Sequence, residues 1–134
     1  MTAIAPWQPH NGTDSRQHAA GVAWDAVAAP TCIGEQAVTQ LRDACGAVIR
    51  DEYGHRLYWL VPPGAVRGWK PLPHVEEFGP ACWITVPPAD RTTGLGPCWL
   101  RPPAEGRLLT NSGSLHAALS RVCGVGRCTN SRCL

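Results

Sequence analysis

Residues 57–61 read Leu-Tyr-Trp-Leu-Val, an unbroken apolar run between a Gly54-His55-Arg56 turn and the Pro62-Pro63 pair. A run this short and rich in aromatic and branched side chains is a strand, and its apolar character at every position means cover on both faces. The two prolines end its pairing because proline has no N–H to give to a ladder. Alternation then puts Leu57, Trp59 and Val61 on one face and Tyr58 and Leu60 on the other. The preceding "GAVIRDEYGH" supplies the partner strand, with the hairpin turn at Glu52 to His55.

The remaining elements are arranged around that hairpin. "VAWDAVAAP" reads as a strand closed by Pro30, after which Thr31 can cap a helix. Through "CIGEQAVTQLRDAC" the residues Ile33, Ala37, Val38, Leu41 and Cys45 fall at helical spacing, interrupted only by Gly34, and Gly46 stands where a left-handed C-cap is expected. "HVEEFG" and "ACWITVPP" suggest a further strand pair, "ADRTTGLGP" a polar loop and "CWLRPP" a short strand. "TNSGSLHAALSRV" has cap candidates Ser112 and Ser114 ahead of the stripe Leu115, Ala118, Leu119 and Val122. The order β, α, β, β, β, β, β, α predicts an α+β fold: a mixed or antiparallel sheet of about five to six short strands with two helices packed on it.

Length and composition set the frame. At 134 residues the chain suits one domain, and with 44% apolar and 16% charged residues it suits a globular one. Residues 1–20 mix polar, Gly and Pro residues without periodicity and read as a flexible leader, 21–122 as a single α+β domain, and 123–134 as a Cys- and Arg-containing tail. No signal-peptide pattern and no membrane-length apolar run appears, so the expectation is a cytoplasmic protein without a membrane partner. A formal net charge of +2 gives no long-range pull on nucleic acid. Any basic patch is local, and the segment from Thr110 onward, with Arg121, Arg127 and Arg132 and no acid, is the basic part. Arg127 and Arg132 are the candidate nucleic-acid contacts. Of the six tryptophans, Trp24, Trp59, Trp83 and Trp99 are read as core, and Trp69 within "RGWKPLPH" as exposed.

Two constellations can carry chemistry. His116, Cys123, Cys128 and Cys133 are soft donors spaced His-x6-Cys-x4-Cys-x4-Cys, at the edge of the spacing zinc knuckles use. A C-terminal extension that merely contains cysteines is the preferred reading, so zinc is not expected there. The second joins Asp25, the His55-Arg56 turn, Glu76 and the "TVPPADRTTGLGPCW" loop, which a sheet of this order can bring to one end. Two carboxylates suit a divalent ion and a basic side chain suits phosphate; the plainer reading makes Asp25 a turn cap and His55-Arg56 a solvated hairpin end. No nucleophile elbow, P-loop or dinucleotide fingerprint is present.

The segments "AWDAVAAP", "GAVIRDEYGHRLYWLVPPGA" and "ACWITVPPADRTTGLGPCWLRPPAEGRLLTNSGSLHAAL", spanning roughly residues 22–122, resemble the later part of the bifunctional DNA primase/polymerase N-terminal domain as found in actinobacteria, and more closely still short actinobacterial proteins with the same segments. The resemblance implies an Asp-x-Asp pair and a later acid holding Mg or Mn, and a His at a strand start on the incoming nucleotide's phosphates. Asp25 matches the first acid, but Val27 stands where the second belongs. "YGHRLYW" aligns with the His-bearing strand, with Arg56 at the His position and His55 at the Arg position, and Glu76 matches the later acid. Losing one carboxylate of the pair removes charge that two-metal phosphoryl transfer needs. The expectation is therefore a scaffold without catalysis: an accessory or regulatory protein with its active site degenerate, for which nucleotide or nucleic acid is the candidate ligand. A minimal metal-dependent nucleotidyltransferase using Asp25, His55 and Glu76, and a protein-interaction module, stay open as alternatives.

Overall fold

A computed structural model describes residues 7–94, 96–104 and 107–124. In chain order the elements are β1 (Arg16–Ala19), β2 (Asp25–Pro30), α1 (Thr31–Leu41), a 3-10 turn (Arg42–Ala44), β3 (Val48–Asp51), β4 (Arg56–Val61), β5 (Glu76–Phe78), β6 (Trp83–Val86), β7 (Cys98–Arg101) and α2 (Ser112–Gly124). Five strands form an antiparallel sheet in the order β5-β2-β4-β3-β7, and β1 and β6 form a separate antiparallel pair. The fold is α+β, with helices on one side of the five-stranded sheet and the two-stranded sheet on the other.

Alternation along β4 builds both cores, as its sequence requires. Leu57, Trp59 and Val61 pack with Val27, with Ile33 and Ala37 of α1, and with Leu115 and Leu119 of α2. Leu60 and the half-buried Tyr58 face the other way, where Ala26, Ile49 and Trp99 meet Ile84 and Val86 of β6. β2 lies beside β4 in the register Asp25↔Val61 to Pro30↔Arg56, and it is small-residued, so the layers on either side approach closely.

Gly34, the one breaker in the α1 pattern, has a packing reason. A Cβ there would lie 2.8 Å from Leu57 Cδ1 and 3.0 Å from Trp59 Cη2, so α1 crosses β4 at this glycine. The helix ends differ from expectation. α1 stops at Leu41 because Arg42 turns into the left-handed region at φ 51°. Gly46 serves instead as a crossing point, where a Cβ would meet Leu108 O at 2.8 Å while its N–H donates to the buried Thr110 Oγ1 at 2.9 Å. Thr31 gives no side-chain cap; its N–H donates to His55 O at 2.9 Å, so the hairpin turn closes the start of α1. α2 is capped by Asn111, whose Oδ1 accepts from Ser114 N at 2.9 Å, and not by Ser112 or Ser114.

Two further expectations are corrected. The segments around Glu76–Phe78 and Trp83–Val86 do not pair with each other. A turn closed by Cys82 N–H to Gly79 O at 3.1 Å, with Ala81 at φ 71°, carries the chain from β5 at the edge of the large sheet to β6 in the other layer. Residues 16–19, assigned to the leader, form β1 against β6 because Ile84 and Val86 need a sheet to present them to the core. The tail from residue 125 onward lies outside the described residues.

In β1, His18 stacks on His10 (centroids 5.7 Å apart) and meets Trp7 edge-on at 5.4 Å, with its Nε2 buried and unpartnered among the described residues. Burial first, then the neighbouring His10 and Arg16, hold its pKa below the ordinary 6.5. The unfolded chain therefore takes up this proton before the folded one, so stability is full above pH 6.5 and falls as the pH drops below it. His18→Phe is expected to reduce the fall in melting temperature between about pH 7.5 and about pH 5, read by circular dichroism. Gly34→Ala is expected to lower unfolding free energy by about 1 to 2 kcal/mol in urea titration, because overpacking against Leu57 exceeds the roughly 1 kcal/mol that alanine gains in a helix.

Candidate functional site

The antiparallel register divides the residues that the sequence grouped. Asp25 opens β2 opposite Val61, whereas Arg56 lies opposite Pro30 at the other end of the same ladder. Five strand residues separate the two positions, roughly 17 Å at about 3.3 Å per residue. Parity separates them again, since odd-numbered β2 residues face the helices and Pro30 and Arg56 belong to the opposite set. Glu76 stands opposite Ala28 and forms an ion pair with Arg56. Asp25 and Glu76 therefore do not converge, and the residues present do not fit a two-metal centre. Among the described residues no group of three His, Cys, Asp or Glu side chains could hold a metal ion.

Asp25 is 2% exposed. Its Oδ2 accepts from Gly64 N at 2.8 Å, the turn-tying role of the plainer sequence reading, while Oδ1 is buried with no partner among the described residues. A cleft of about 460 Å³ lies against it, lined on one side by Pro63, Gly64, Val66 and Arg67 and on the other by Glu77, Gly79 and Pro80. The Pro62–Trp69 segment that forms the first wall is a string of turns, closed by Ala65 N–H to Pro62 O, Arg67 N–H to Gly64 O and Trp69 N–H to Val66 O. Gly64 sits at φ 78° with open space where a Cβ would be. Arg67 is exposed at the mouth and forms no ion pair among the described residues. Sequence reasoning passed over Arg67 and took Glu77 only as part of a polar strand face with Glu76; Gly68 beside Arg67 and Gly79 two residues after Glu77 were the available signal.

The hairpin end is a second cluster. His55 occupies the left-handed region at φ 56° in the turn after Gly54 and is exposed, so its structural contribution is the carbonyl that receives Thr31 N–H. Arg56, Glu76, Asp51 and Tyr58 share one face of the sheet. Burial pushes the Tyr58 phenol above its ordinary value of 10, with Arg56 opposing and Asp51 and Glu76 adding to the rise. The "TVPPADRTTGLGPCW" loop is fastened to Trp99, whose Nε1 donates to Pro88 O at 2.9 Å, and it reaches this cluster through Pro97, not Asp25.

His116 is engaged by the fold. Its Nε2 lies 3.1 Å from Lys70 O and its Nδ1 3.4 Å from Ser120 Oγ, which requires the Nε2–H tautomer, and Trp69 packs edge-on against the ring at 4.7 Å. Trp69 is thus half-buried, and Trp83, assigned to the core by its sequence, is 62% exposed. Cys123 is disulfide-bonded, and Cys128, Cys133, Arg127 and Arg132 lie outside the described residues. Cys45 is buried, which holds its thiol above the usual range and makes it inert.

No family model, curated protein or solved structure matches this chain. Among the described residues, no helix is long and apolar enough to cross a membrane.

The chain has two tyrosines. Absorbance titration in the near ultraviolet is expected to show a phenol ionising above the ordinary tyrosine value of 10, lost in Tyr58→Phe. Because the folded pKa is the higher one, wild-type stability falls as pH rises past 10, and the variant loses that dependence.

Proposed function

We propose that this chain is a non-catalytic binding protein of accessory or regulatory kind whose site is the Asp25 cleft, and that its ligand is a nucleotide or the end of a nucleic-acid strand. The observation that carries this reading is the Oδ1 carboxylate oxygen of Asp25, buried beneath the cleft and given no partner among the described residues. A polar atom left this way is costly, and it marks a place where a ligand donor completes the bonding. A nucleobase supplies such donors from its ring N–H and exocyclic amino groups. Arg67, with no ion-pair partner among the described residues, stands at the mouth to receive phosphate. Oδ1 is covered at rest, so the ligand enters as the Gly64 turn gives way.

Catalysis is not part of the proposal, because the acids that phosphoryl transfer requires lie on opposite faces of the sheet and toward opposite ends of β2. Arg56, paired with Glu76, is remote from the cleft, so the phosphate contact expected at His55-Arg56 moves to Arg67 in this reading.

Thermal-shift titration with nucleoside triphosphates and short single-stranded DNA tests the proposal. Saturating ligand is expected to raise the melting temperature of the wild type and of Arg56→Ala, and to leave Asp25→Asn and Arg67→Ala unmoved. Asp25→Asn without ligand is expected to be as stable as the wild type or more so, since it removes a buried charge and keeps the Gly64 contact. Gly79→Ala places a methyl group 3.9 Å from Asp25 Oδ2, an ordinary contact that narrows the cleft without changing charge, and is expected to weaken the shift. Stabilisation equal in wild type and Asp25→Asn, or lost in Arg56→Ala alone, would overturn the assignment.

A further inference from the structure

We infer that the slot between the two sheets, on the opposite face from Asp25, binds an alkylated ammonium group. The slot has a volume of about 150 Å³ and is lined by Tyr58, Phe78, Trp83, Asp51, Thr85 and Pro97 among others. The Tyr58 ring of β4 and the Phe78 ring of β5 meet with centroids 5.9 Å apart and planes tilted by 40°, and together they form the aromatic wall that the large sheet gives the slot. Trp83 stands at the mouth with 62% of its surface exposed, an unusual place for an indole in a chain that buries Trp24, Trp59 and Trp99 almost completely.

Charge selects a cation for the slot. Two carboxylates, Asp51 and Glu76, and one guanidinium, Arg56, act on Tyr58. Arg56 is paired with Glu76 and Arg50 with Glu52, which leaves Asp51 at the rim without an ion-pair partner among the described residues. Aromatic side chains attract cations through their electron-rich faces, and the neighbouring carboxylate adds to that attraction.

Hydrogen-bond capacity selects an alkylated cation over a plain one. A primary ammonium brings three N–H donors that need acceptors. Here Thr85 Oγ1 already accepts from Gln17 Nε2 at 2.6 Å and Asp51 Oδ1 from Gly54 N at 3.1 Å, which leaves Asp51 Oδ2 to serve three donors among walls otherwise apolar or aromatic. A trimethylammonium group asks for no acceptor and presents an apolar, positively charged surface that suits the slot in size and sign. Both a small-molecule head group of the choline type and a methylated lysine on a polypeptide carry it.

The test is a titration of the full chain with choline, with its neutral tert-butyl analogue in which carbon replaces nitrogen, and with a short peptide carrying trimethyl-lysine or unmodified lysine, followed by amide and indole resonances. Choline is expected to move the resonances of Tyr58, Phe78 and Trp83 saturably, with the neutral analogue about tenfold weaker or more. Trp83→Ala, which removes a mostly exposed side chain and leaves both cores intact, is expected to weaken choline binding about fivefold or more, and Asp51→Asn to do so with the neutral analogue unaffected. Asp25→Asn is expected to change nothing here, so this inference stands or falls separately from the nucleotide cleft. A trimethyl-lysine peptide binding more tightly than choline assigns the natural source to a polypeptide, and equal binding assigns it to the head group alone. Equal affinity for choline and the neutral analogue, or resonance shifts that persist unchanged in Trp83→Ala, overturns the inference.

Discussion

The pairing of β2 with β4 is the constraint on which the rest of this structure depends. β4 brings large side chains to both faces and β2 brings small ones, so the pair sits at the centre of three layers. Alternation along β4 defines two cores from one strand, and each core recruits its own cover: α1 and α2 on one side, β6 with its partner β1 on the other. The same pairing fixes Gly34 at the helix crossing, because the Leu57 and Trp59 side chains come up against α1 at that position. It also fixes the Thr31 N–H to His55 O bond, which joins the hairpin turn to the helix that follows β2.

Both candidate sites are consequences of where that central pair ends. At the Asp25 end, β4 stops at Pro62-Pro63 and the chain leaves as a string of turns, which exposes the edge of the helix-facing core and forms the cleft. Around Tyr58 and Phe78, on the opposite face, the two-stranded sheet covers the large one incompletely and leaves a slot. One cleft has a buried acceptor beside Arg67 and Glu77, and the other has aromatic rings beside Asp51. Their different linings and opposite faces suit them to different ligands, not to two halves of one catalytic centre.

The helices, the hairpin and the strand ending in Pro30 were legible because each is written in local periodicity and punctuation. β1 was not, since "RQHA" has no strand pattern of its own and pairs only because β6 lies alongside. The β5–β6 hairpin was misjudged because adjacent strands commonly pair, and only the Gly79–Cys82 turn, which changes layers, prevents it. Trp69 and Trp83 exchanged roles for a similar reason. Trp69 is held half-buried by His116, a residue distant in the chain, and Trp83 stays exposed at the edge of the slot because Ile84 and Val86 take the core positions of β6. Asp25 was found by its chemical type; its partner Gly64 and the neighbouring Arg67 were not, because they reach it through the fold.

The sequence by itself determined the two-faced central strand, the helix on either side of the strand-rich middle and the α+β class, because periodicity and proline placement act over a few residues. Tertiary structure decided which end and which face each charged side chain occupies. Side-chain direction alternates with every residue and strand polarity reverses with every turn, so a group chosen by residue type is divided as soon as register is set. That is why Asp25, Arg56 and Glu76 can be grouped by their chemistry in the sequence and yet stand apart in the molecule.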